Sequence, residues 1–188
     1  LGRHDLLQYD GHYALRSLGY YDNVGSLEQT TPVQWFGQRP WWSYLGFHDH
    51  PFLFFLIQHI FFKLFGASVV VSRLPSALAA IGTAITVFFI GRKLGNVKAG
   101  LISLGALALN SYFIWMGRIG LLESVFTFFL CLGLYYCLKA LETDPKYFAY
   151  SGLYWGLSIL TKYTFLFFAP GILAYILWRQ RWIFKNKK

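Results

Sequence analysis

Residues 74–91 run for eighteen positions without a single charged side chain. At about 1.5 Å per residue a helix of that length spans about 27 Å, close to the roughly 30 Å of hydrocarbon in a bilayer. A soluble domain would have to hide such a segment completely, and this chain lacks the polar shell to do so: 13% of its 188 residues are charged and 56% are hydrophobic, against roughly 25% charged in an ordinary soluble domain. Disorder, collagen-like repeats and a disulfide scaffold are excluded by the same balance. The chain reads as all-α, a multi-span transmembrane helical bundle.

Five stretches fit spans, at about 74–91, 99–116, 121–138, 147–161 and 163–178. The last two are short and are separated only by Lys162, which suggests an antiparallel pair turning tightly at that lysine. Ser151, Gly152 and Gly156 offer small surfaces for close helix contact there. Residues 51–62 are apolar for only twelve positions before Lys63. They read as an interfacial, Phe-rich helix lying on the membrane. Residues 1–50 hold five of the eight acids and four of the five histidines, and read as water-facing. The expected organisation is a first outer loop with juxtamembrane helices over 1–70, then five spans over 71–188. The chain opens on Leu1 and reads as an internal piece of something longer.

The formal charge of +9 raises the question of nucleic acid, and the placement of the cations answers it. Ten of the seventeen sit at the ends of apolar segments: Arg92, Lys93 and Lys98; Lys139 and Lys146; Arg179, Arg181, Lys185, Lys187 and Lys188. That is the positive-inside pattern of cytoplasmic loops rather than a stripe for nucleic acid. With Glu142 and Asp144, this side carries +8, and the remaining residues carry +1. Alternation of five spans then puts residues 1–73, 117–123 and Lys162 together on the outer face. Cys131 and Cys137 share one apolar segment and say nothing about redox compartment.

Asp10, Arg73, Arg118, Glu123 and Lys162 therefore meet at one boundary. Ionisable groups at a membrane boundary are costly to keep and are candidates for function. Each also has a plainer reading: Arg and Lys near span ends snorkel to headgroups, and Glu123 with Arg118 forms a local ion pair. His48, Asp49 and His50, just before the Phe-rich helix, supply imidazole and carboxylate groups suited to a divalent metal, or a polar cluster set over a lipid or phosphate group. His59 reads as a packed or interfacial side chain. A transporter or a non-catalytic membrane subunit is the alternative class, in which charges are expected near mid-span. Here they lie at span ends.

The runs Phe65-Gly66-Ala67-Ser68, Ser72-Arg73-Leu74-Pro75-Ser76-Ala77-Leu78, Gly117-Arg118 followed by Glu123, and Leu160-Thr161-Lys162-Tyr163 resemble the C superfamily of membrane glycosyltransferases. The similarity is to the group of dolichyl-phosphate-mannose protein mannosyltransferases and lipid A aminoarabinose transferases. Asp49-His50-Pro51 is similar to their Asp-His-Pro-Pro element, with Phe52 in place of the second proline. Asp10-Gly11-His12-Tyr13-Ala14 stands where they carry Asp-Glu-x-x-Tyr, with Gly11 in place of the second acid, so Asp5 stays a rival to Asp10. The resemblance implies transfer of a hexosyl or pentosyl unit from a polyprenyl-phosphate donor to an acceptor hydroxyl on protein, lipid A or surface glycan. It implies Asp10 as general base and Arg73 as the donor-phosphate contact. Arg118 and Lys162 add cations on the same face, Glu123 orients one of them, and Tyr13, Asp49 and His50 support the site. The implied setting is the extracytoplasmic face of the plasma membrane, or the endoplasmic reticulum membrane in a eukaryote.

Overall fold

The computed structural model describes residues 11, 13, 14, 17 and 50–185, with seven helices and no strand among them. Asp5, Asp10, His48 and Asp49 lie outside the described residues. The first helix, α1 (Leu53–Phe65), begins directly after Pro51 and stops at Gly66, whose φ of 81° suits glycine and whose N–H reaches the Phe62 carbonyl at 2.9 Å. Its buried side chains are Phe54, Phe55, Gln58 and Phe62, one stripe at helical spacing, while Ile60, Leu64 and Phe65 are exposed. Thirteen residues make about 20 Å, less than a bilayer core.

The next helix, α2 (Val69–Leu94), is capped by Ser68, which accepts the Val71 N–H at 3.3 Å. It is long and apolar enough to cross a membrane, as is α5 (Leu122–Glu142). The expected span at 99–116 is instead two helices, α3 (Val97–Ala108) and α4 (Ser111–Arg118), bent by 67°. The physical cause is Asn110. Its side chain accepts the Phe113 N–H at 2.9 Å and starts a new helix. Taken as one broken span, the pair brings the helices fit to cross a membrane to three by length and composition. The remaining two expected spans correspond to α6 (Tyr147–Ile159), thirteen residues long, and α7 (Phe165–Lys185), with the turn around Lys162 between them.

Packing runs in the order α3, α2, α5, α6, with α1 and α4 against α2 and with α7 beside α5 and α6. Glycines set the close approaches. A Cβ on Gly100 would lie 2.7 Å from the Phe88 carbonyl, and one on Gly133 would run into the Trp155 ring. Ser151 does join α6 to α5, donating to the Gly133 carbonyl at 2.8 Å, but Gly152 and Gly156 face open space. Here the expectation of close contact at those two glycines is corrected: the small residue at the α5–α6 seam is Gly133, on the other helix. Serine hydroxyls bridge further, Ser158 to the Phe126 carbonyl at 3.3 Å, and such interhelical bonds are worth about 0.6–2 kcal/mol in a membrane.

The polarity of the bundle is that of a membrane protein. On α2 the side chains of Ser72, Arg73, Ser76 and Thr83 are buried, while Leu78, Ile81 and Ile85 are exposed. Lipid tails solvate apolar side chains as well as a core does, so the interior is free for small and polar groups. Two ends are distinguishable. One is tied by Lys93 Nζ to Glu142 Oε2 at 2.8 Å, joining the last turns of α2 and α5. Nearby, Asp144 accepts the Lys146 N–H at 2.9 Å and pairs with its ammonium; that amide first, then the ammonium, holds its carboxyl below the usual carboxylate range. The other end holds the candidate site.

Candidate functional site

The site end is organised by α1. Its first N–H groups have no partner within the helix, and that of Leu53 is taken by the Leu160 carbonyl at 3.0 Å. This fixes the end of α6, and with it Lys162, beside the start of the juxtamembrane helix. Phe54 and Phe55 are fully buried against Tyr13, Ala79, Ile119, Leu121, Leu122 and Val125. Tyr13 sits edge-on to both rings, and its hydroxyl lies 3.4 Å from His50 Nε2.

A polar strut runs through the same apolar packing. The Ser17 hydroxyl donates to Gln58 Oε1, and Gln58 Nε2 donates to the Ser72 carbonyl at 2.8 Å. His59 Nδ1 lies 2.8 Å from the Ser17 carbonyl, so this histidine is a packed structural side chain. The strut immobilises the backbone immediately before Arg73, which is 3% exposed. One turn further, Ser76 donates to the Leu121 carbonyl at 2.8 Å. Arg73 is thereby held one helical turn from the segment that begins α5.

Glu123 lies in the first turn of α5, where a carboxylate meets the positive end of the helix dipole. Its Oε1 accepts from Lys162 Nζ at 2.6 Å, with both side chains 27% exposed. Its Oε2 is buried and has no hydrogen-bond partner among the described residues. A buried acceptor with unused lone pairs is unusual in a folded chain. Arg118 closes α4 and is exposed, and of the two cations on this face it is Lys162 that pairs with Glu123.

Tyr13, His50, Arg73, Glu123 and Lys162 are thus gathered at one end. Among the described residues no three His, Cys, Asp or Glu side chains come together for a metal, and the possible divalent site rests on His48 and Asp49, outside them. Sequence reasoning gave no role to Gln58, Ser76 or the Leu160 carbonyl. Gln58 had a signal, as a lone amide in a Phe-rich apolar helix; Ser76 and Leu160 stand in the motif runs, but their partners Leu121 and Leu53 are distant in the chain.

Chemically, the end offers a buried guanidinium able to grip a phosphate in a planar fork, a second cation at Lys162, and a carboxylate with one oxygen free. No curated protein and no solved structure matches the chain. A family model does, that of the dolichyl-phosphate-mannose-protein mannosyltransferases, over residues 49–188. This stretch holds all seven helices and every charged group just described, and the chain belongs to that family of membrane glycosyltransferases, which draw on polyprenyl-phosphate sugar donors.

Proposed function

We propose that the chain carries the donor site of an enzyme that moves a hexosyl or pentosyl unit from a polyprenyl phosphate to an acceptor hydroxyl of protein, lipid A or surface glycan, on the extracytoplasmic face of its membrane. The supporting observation is the burial of Arg73 one turn from Ser76 and Leu121, at the end where Lys162 and Glu123 pair. The acceptor oxygen bonds to the anomeric carbon while the bond from that carbon to the phosphate oxygen breaks. Its electron pair leaves with the polyprenyl phosphate. Asp10 takes the hydroxyl proton. Arg73 neutralises the charge developing on the phosphate, and Arg118 and Lys162 add positive potential at the same boundary. Glu123 holds Lys162 in place and keeps Oε2 for a sugar hydroxyl. Tyr13, Asp49 and His50 shape the entrance, with His48 beside them if a divalent ion takes part. Residues 71–188 supply five spans in this reading, α6 and α7 as the last two.

The test follows release of polyprenyl phosphate from polyprenyl-phosphate mannose in membranes holding the full-length protein. Asp10→Asn should cut release by about 100-fold to 10,000-fold with insertion and donor binding intact, and Asp5→Asn should do little. Reversed results would move the base to Asp5. Unchanged release in both would end the assignment of a base to this loop.

A further inference from the structure

The end of the bundle away from the site carries a groove the proposed transfer does not use. About 350 Å³ in volume, it lies between α2 and α5 and is lined by Ile85 and Phe89 on one wall and by Phe128, Leu132, Tyr135 and Tyr136 on the other. Its lining continues in register into charge. On α2 the spacing from Ile85 to Phe89 leads one turn on to Arg92 and Lys93, and on α5 the spacing from Leu132 to Tyr135 and Tyr136 leads to Lys139. Lys93 is neutralised by Glu142 at 2.8 Å, and Asp144 is taken by Lys146. Arg92, which is exposed, and Lys139 have no acidic partner among the described residues.

Lys139 is held in place by aromatic rings. Its Nζ stands 4.0 Å over the Tyr147 ring, and Tyr136 stacks on Tyr150 and Tyr154, each at 5.4 Å. Lys139 follows Tyr135 and Tyr136 of the groove wall by one helical turn, and a cation over a tyrosine next to an apolar groove combines an aromatic belt with a basic rim. Apolar wall, tyrosine belt and uncompensated cations in that order match an acyl chain, glycerol region and phosphate of one lipid molecule.

We propose that this groove is a binding site for an anionic phospholipid, its acyl chain between α2 and α5 and its phosphate at Arg92 and Lys139. The charge complementarity selects this occupant: a neutral lipid leaves both cations uncompensated, and a second protein helix laid in the groove would bury them.

The test is native mass spectrometry of the full-chain protein in detergent, titrated with phosphatidylglycerol or with phosphatidylcholine of the same acyl chains. Each basic residue near an anionic lipid contributes about fivefold, so phosphatidylglycerol should bind the wild type about 25-fold more tightly. The double variant R92Q/K139Q should bring the two lipids to parity, and Leu132→Trp, which fills the groove, should weaken both. Ile85→Trp fills it from the opposite wall and repeats that arm should Leu132→Trp lose its helical circular dichroism. Equal binding of the two lipids by the wild type, a preference that survives R92Q/K139Q, or binding untouched by both tryptophans would overturn the proposal, as would a groove that retains neither lipid.

Discussion

Lys162 and Glu123 are thirty-nine positions apart in the chain, and their side chains meet at 2.6 Å. The contact closes the α5–α6 hairpin at the site end, and it uses only one of the two carboxylate oxygens. Both groups are mostly withdrawn from solvent, so removing one partner leaves the other as a poorly solvated charge.

A double-mutant cycle in thermal unfolding should therefore show coupling. Glu123→Gln and Lys162→Met should each destabilise more than half as much as the double variant, with an interaction energy of about 0.5–3 kcal/mol. Strict additivity would mean that the pair does not hold the hairpin. In the release assay Glu123→Gln should lose activity even at temperatures where it is fully folded, since the proposed reaction gives Oε2 a sugar hydroxyl to accept.

Arg73 should tolerate no replacement. Lysine keeps the charge but not the planar fork, so Arg73→Lys should be impaired and Arg73→Ala nearly inactive. Binding of polyprenyl phosphate without its sugar separates the phosphate contact from the chemistry. Wild-type affinity in Arg73→Ala would remove this residue from the donor site.

Gly133 and Gly152 should respond in opposite directions to alanine. The added methyl at Gly133 would run into the Trp155 ring, whereas Gly152 has nothing within 4 Å. Overpacking typically costs about 1–3 kcal/mol, and an open helical glycine gains up to about 1 kcal/mol on becoming alanine. Chemical denaturation in mild detergent would read both.

Orientation can be read by cysteine labelling in intact cells. Asn96 and Tyr163 are both exposed and lie at opposite ends of the bundle. An impermeant reagent should reach a cysteine at Tyr163 and not one at Asn96. The opposite pattern would place the site on the cytoplasmic side.

Much of this was legible in order and spacing. The all-helical membrane character followed from charge-free segments, since an apolar run of that length has few other destinations in water or lipid. Residues 117–123 and Lys162 could be assigned to one end because spans alternate sides, and that requires only counting. The family was legible as well, from the order and spacing of short runs along the chain.

Three-dimensional packing decided the rest. Asn110 is an ordinary polar residue in the sequence, and only its bond to the Phe113 N–H shows that the segment breaks there and turns by 67°. Two cations, Arg118 and Lys162, were equally good partners for Glu123 on paper. In the folded chain Lys162 is the partner, beside the Leu53–Leu160 bond that holds the end of α6. Periodicity reports which residues share a face of one helix. Which faces meet, and therefore which charge is paired and which oxygen is left free, depends on contacts between helices distant in the chain, and these are energies of the whole arrangement that no single segment encodes.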